Sequence, residues 1–264
     1  MKNIKLIKGI FIASSLSLAV GCTNLEEEVL DGTSKQASVN ASSFLITAYR
    51  DLRAFQAQGQ MFALDEMSTD ALVGPTRGGD WDDNGVWRNI HLHKWTPDHV
   101  EVRNAYSSLL SAVNDCNIVI ENGNATEVVE AKFLRAFNYY HLIDLFGQVP
   151  YRTIGEPSSA TPKVYSRAQA TAFVISELEG ILNSLPARVA GSPDRANQDA
   201  AKFLLAKLYL NKAVFTAEPG TSTYNHTAAD MTKVVQYVDG ISSTLATDYW
   251  DNFSPTNNTS NELL

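Results

Sequence analysis

The sequence predicts an all-α, mainly helical protein built of stacked antiparallel helix pairs, interrupted by one long irregular region rich in Trp, Gly and Asp. Three observations lead there. Six stretches repeat apolar residues at three- and four-residue steps, most of them are bounded by capping residues or by Gly and Pro stops, and Gln60 to Pro97 shows no helical period at all.

The first helix runs from Ser42 to Phe55 on Phe44, Leu45, Ala48, Tyr49, Leu52 and Phe55, with Ser42 or Ser43 as its cap. A second spans Val100 to Ile120 on Val102, Tyr106, Leu109, Leu110, Val113 and Ile120, and stops at Glu121-Asn122-Gly123. The third covers Thr126 to Phe146 with Thr126 as cap, Glu127 and Glu130 in its early turns, Gly147 as stop and Pro150 just beyond. Ser166 opens a fourth on Ala170, Phe173, Val174, Leu178, Ile181 and Leu182, closed by Leu185-Pro186. The fifth, Ala196 to Phe215, is rich in Ala and Leu, and the sixth, Thr227 to Leu245, carries Met231, Val234, Val235, Val238 and Ile241. Loops of roughly ten to twenty residues make helices three to six two antiparallel hairpins. That arrangement resembles tetratricopeptide stacking, in which small residues such as Ala200, Ala201 and Ala206 admit a large neighbour, although the period is irregular.

The start of the chain points outside the cytoplasm. Lys2, Lys5 and Lys8 precede an uncharged run from Gly9 to Gly21, the build of an export signal. The run falls short of the about twenty apolar residues needed to cross a bilayer. Leu18-Ala19-Val20-Gly21-Cys22 resembles the lipobox of bacterial lipoproteins, with the leucine one place from its favoured position, and this implies lipidation of Cys22. Residues 1–21 are thus expected to be a signal peptide, 22–41 a lipidated tether, and 42–264 the helical domain. Glu26, Glu27 and Glu28 resemble a surface-export signal, or form a solvated acidic tether. With only Cys22 and Cys116 present, lipidation leaves Cys116 unpaired, a small core residue in an apolar helix. A net charge of -8 argues against nucleic acid, whose phosphates require a basic face.

Three segments resemble the SusD/RagB family of outer-membrane nutrient-binding lipoproteins: Glu130 to Tyr151, which reads EAKFLRAFNYYHLIDLFGQVPY; Ser166-Arg167 through Ile175 to Glu179 and on to Leu185-Pro186; and Arg195 to Leu210. The resemblance implies a tetratricopeptide-like fold and a non-catalytic receptor on the outer face of a Gram-negative outer membrane. It implies two partners, a glycan or similar nutrient and a SusC-like TonB-dependent transporter, and no cofactor. Family members are about twice this length, so the C-terminal part of the family fold is expected to be missing. In the first segment Phe133, Ala136, Phe137, Tyr140, Ile143 and Leu145 can line one buried face, while Arg135 snorkels or pairs with a carboxylate.

Chemistry is expected in the irregular region, because loops on a rigid scaffold commonly carry it. Trp81, Trp87 and Trp95 offer flat faces for the axial C-H groups of sugars, and Arg77, Asp80 and Asn84 can bond hydroxyls. Each tryptophan has a second reading, as an anchor fixing the loop to the core. Asp80 to Gly85 imitates half of a calcium-binding loop, but the twelfth position is His91 rather than the required glutamate. His91, His93, His99 and Asp98 lack the pattern that would complete a zinc tetrahedron. Asp65, Glu66 and Asp70 could supply an acid and a base for glycoside hydrolysis, or simply cap and pair. The rival functions are therefore a secreted helical glycoside hydrolase and a surface lipoprotein without a ligand.

Overall fold

The structure is a computed structural model and describes residues 39–75, 78–157, 159–189 and 194–263. The expected signal peptide, Cys22, the acidic run Glu26 to Glu28 and the tether up to residue 38 lie outside the described residues. The compact unit from Asn40 onward is helical: α1 (Ala41–Asp51), α2 (Gln60–Glu66), α3 (Val86–His91), α4 (Val100–Asn122), α5 (Ala125–Phe146), α6 (Arg167–Ile181), α7 (Gln198–Phe215) and α8 (Ala228–Asp239). Two three-residue strands, β1 (Val149–Tyr151) and β2 (Lys163–Tyr165), pair antiparallel between α5 and α6, with Pro150 opposite Val164. Successive long helices pack as α4 on α5, α5 on α6, α6 on α7 and α7 on α8, while α1 lies against α4. Among the described residues no helix is long and apolar enough to cross a membrane.

The six expected helices are present, with corrected ends. Asn40, not Ser42 or Ser43, caps α1, its side chain accepting from Ser43 N at 3.2 Å. Ser42 instead donates its hydroxyl to Glu127. Asn124, not Thr126, caps α5: its Oδ1 accepts from the Thr126 and Glu127 amides at 3.0 and 3.1 Å, and Glu127 accepts from Asn124 N at 2.9 Å. Ser166 caps α6 as expected, in a reciprocal pair with Gln169. The sixth helix stops at Asp239, not Leu245, because Ser242 N and Oγ bond Asp199 and Lys202 bonds the Gly240 carbonyl, drawing the chain away from the axis.

The region Gln60 to Pro97, expected to be free of helix, holds α2, α3 and a 3-10 turn at Asp83–Gly85. Helices of seven and six residues complete fewer than two turns, so a 3.6-residue pattern has no room to repeat. They fold because Ala63, Met67, Trp87 and Ile90 form a small core of their own, apart from the main one.

Helix α5 is buried more widely than one face. Glu130, Ala131, Phe133 to Ala136, Asn138 to Tyr140, Leu142 and Ile143 are all buried, which a helix meets only when neighbours surround it. Two polar groups cross-link it. Arg135 donates through Nε and Nη2 to the two carboxylate oxygens of Glu177 on α6, and through Nη1 to Asn117 on α4 at 2.7 Å. Glu130 accepts from Arg195 at 2.8 and 2.5 Å and from the Tyr49 hydroxyl on α1 at 2.5 Å. Cys116 is fully buried and unpaired; burial pushes its thiol far up, which leaves it inert.

His141 on α5 packs among the rings of Phe55, Phe137 and Tyr140, at centroid distances of 4.5, 4.8 and 5.2 Å. Burial, then the Lys207 charge, moves its pKa down from 6.5 to about 4. A histidine held neutral makes folding less favourable only when the unfolded chain can take a proton that the folded one refuses. Its contribution is therefore intact above pH 6.5 and is lost progressively as pH falls from 6.5 towards 4. Urea melts are expected to show an acid-side loss on the order of 2 kcal/mol that shrinks in His141→Phe; parallel curves for the two proteins would refute it.

Candidate functional site

The irregular region folds into a strained turn resting on two short helices. Gly78, Gly79 and Gly85 have φ of 60°, 105° and 81°, and Trp81, Asp83 and Asn84 sit at 58°, 40° and 55°. Left-handed backbone is easy for glycine and tolerable for Asn and Asp, but costly for Trp. The turn is held by side chains. Asp83 Oδ2 accepts from Trp87 Nε1 at 2.6 Å, Arg88 reaches Asp82 at 3.4 Å, and Gly74 passes so close that a Cβ there would stand 2.8 Å from the Trp87 Cβ. Further along, His93 bonds the Ser68 carbonyl at 2.7 Å, and His99 bonds the Val86 carbonyl at 3.1 Å while capping α4. These two histidines fasten the segment to its neighbours.

A cleft of about 420 Å³ opens beside this turn, walled by Trp81, Phe62, Met67 and Val73, with Asp80 and Gln58 supplying polar groups. Trp81 is half-buried, its ring 5.7 Å from that of Trp87 and tilted by 54°. Phe62 is 37% exposed. The arrangement offers flat apolar walls and a few polar atoms, within the size range of small-ligand clefts.

The sequence-based candidates divide. Trp81 and Asp80 meet in this cleft. Trp87 does not present a face: it is 7% exposed in the small core, so of its two readings the anchor replaces the platform. Trp95 is 44% exposed but stands against His93, outside the cleft lining. Asn84 is exposed at the 3-10 turn and does not line the cleft. Arg77 lies outside the described residues. Phe62 and Gln58 were not anticipated, because Phe62 sits on a helix too short to show a period. Of the carboxylates, Asp65 is held above the usual range by burial, with Asp144 and Glu66 adding repulsion; neither it, Glu66 nor Asp70 lines the cleft.

Comparison with known proteins agrees with this architecture. The SusD-like family, described as starch-binding and associating with the outer membrane, matches residues 28–210. The starch-binding protein SusD of Bacteroides thetaiotaomicron is 24% identical over 203 residues, which is 74% of this chain and 34% of that protein. Surface glycan-binding protein A from Bacteroides uniformis superposes with a TM-score of 0.64 at 20% identity, over 84% of this chain and 50% of its own. Surface glycan-binding protein A from Bacteroides thetaiotaomicron, solved in complex with laminarihexaose, gives 0.62 at 20% identity, over 84% and 47%. The chain thus spans about a third of the curated relative and about half of each of these structures. With the family pattern covering most of its length and the helical fold shared, this chain belongs to the SusD-like family.

Proposed function

We propose that the protein is a non-catalytic receptor that captures an oligosaccharide at the cell surface and passes it to a TonB-dependent transporter of the SusC kind. The observation that carries the reading is the cleft beside the strained turn, where Trp81 and Phe62 form the apolar walls and Asp80 and Gln58 the polar partners that a sugar requires. Membership of a family described as starch-binding supports it, as do the glycan-binding names of its relatives. Cys22, at the end of the apolar run, is the proposed site of the lipid that holds the receptor at the outer membrane, facing outward. The tether keeps captured ligand concentrated beside the channel.

Affinity electrophoresis in gels containing starch or laminarin tests the site. The wild type is expected to be retarded without releasing product. Trp81→Ala and Phe62→Ala are each expected to weaken retention about tenfold, with the far-UV circular dichroism unchanged. Wild-type mobility in both variants would remove the cleft from the proposal. Released sugar, abolished by neutralising Asp65, Glu66 or Asp70, would instead make the protein a hydrolase.

A further inference from the structure

A second cleft, of about 300 Å³, lies between α1, α5 and α7, away from the strained turn. Its walls are apolar: Leu52, Phe133, Phe137 and Leu204 line it, and the ring of Phe203 stands 47% exposed at its margin. Its polar groups fall into two sets. At one end Arg195 is held by Glu130, which also takes the Tyr49 hydroxyl, and that hydroxyl accepts from Ala196 N at 2.9 Å. The Arg195 charge is therefore compensated. Asp194, beside it in the chain, is also engaged.

The other set differs. Lys207 Nζ rests 5.0 Å from the ring centroid of Tyr140 and 6.0 Å from that of Phe203, and it makes no ion pair with any described carboxylate. Tyr140 is only 5% exposed as a residue, but its hydroxyl is not among the enclosed atoms that lack a partner, so it is open to the cleft. Burial, with Asp144 and Asp65 acting through space, holds that phenol up to about 12, so it stays a donor. Open to the cleft, it can exchange a water for an acceptor on a ligand at little cost. The same two carboxylates oppose an anion at longer range, so Lys207 must supply the attraction.

We propose that this cleft binds a medium-chain aliphatic carboxylate, with the alkyl chain among Phe133, Phe137 and Leu204 and the head group on Lys207 Nζ and the Tyr140 hydroxyl. A sugar is a poor occupant, because walls this apolar would strand most of its hydroxyls. The volume, at the lower limit for ligand clefts, suits a single short chain.

Isothermal titration of the full chain with hexanoate, octanoate, decanoate and the neutral control decanol decides the matter. Affinity is expected to rise up to about fourfold per methylene, and decanoate to bind about tenfold tighter than decanol. Lys207→Met erases the preference for decanoate while keeping the dependence on chain length; Lys207→Arg retains both and controls for folding. Absence of saturable heat, an affinity indifferent to chain length, or wild-type decanoate binding by a folded Lys207→Met protein each overturns the proposal. Polysaccharide retardation of Lys207→Met is expected to match the wild type, so this test stands or falls apart from the glycan reading.

Discussion

Replacing Glu177 by alanine is expected to cost about 3–5 kcal/mol of stability, among the largest effects of any single substitution in the helical unit. The Arg135 and Glu177 side chains are 5% and 6% exposed. Burial alone would push the guanidinium down, but Glu177 outweighs it and holds the group above its ordinary value. Without the carboxylate, Arg135 keeps only the Asn117 oxygen at 2.7 Å and the face of Phe173 at 5.4 Å. Neither carries charge, so a nearly uncompensated cation would remain between α4, α5 and α6. In a unit of this size the loss corresponds to a fall of roughly 6–20 °C in Tm. The pair itself need not be strongly stabilising, since two ions were dehydrated to form it. Hence Arg135→Met combined with Glu177→Leu is expected to recover most of what Glu177→Ala alone removes. Thermal and urea melts of the three proteins check both statements. A Glu177→Ala protein within about 1 kcal/mol of wild type would mean that water reaches the guanidinium.

How legible these features were depends on length and on which partner a residue finds. The helices α4, α5, α6 and α7 run for fifteen residues or more, so apolar spacing and terminal signals reinforce one another and their existence could be read directly. Their caps were less secure. Asn124 and Thr126 are both good capping residues, and the choice fell to Asn124 because its side chain reaches two amides at once. The Arg135 alternative of snorkelling or pairing was settled by Glu177, forty-two residues away, which no local pattern can supply. Strands β1 and β2 were hidden for a similar reason: three residues hold no alternation, and Tyr151 stacks on Tyr165 at 4.4 Å only once the hairpin closes. For the proposed cleft, composition pointed to the loop that supplies Trp81 and Asp80 to its lining. It could not separate Trp81 from Trp87, since the two are identical in kind and differ only in which side of the small core they occupy.

Trp87→Ala provides the second large effect and the means of telling the two tryptophans apart. Removing a ring that packs on Ala63, Met67 and Ile90 is expected to cost about 3–5 kcal/mol. That core is separate from the main one, so the loss should be local rather than global. Hydrogen exchange is expected to accelerate in residues 60–99 while α4 to α7 keep their protection. Trp87→Phe retains an apolar ring and gives up chiefly the 2.6 Å bond to Asp83, so it should cost nearer 1–2 kcal/mol. Glycan retention then becomes diagnostic. It should fall in Trp87→Ala, because Trp81 leans on that ring at 5.7 Å and the turn bearing it loosens. It should return in Trp87→Phe, where the turn is held again. In Trp81→Ala it should be lost with the protection of residues 60–99 preserved, because half-buried Trp81 packs at the edge of the small core rather than inside it. An anchor is thus recognised by rescue with another apolar ring, and a platform by loss of binding without loss of fold. Were Trp87→Phe stable but unable to bind, the indole of Trp87 would itself have to contact the sugar, and the roles assigned to the two residues would be exchanged.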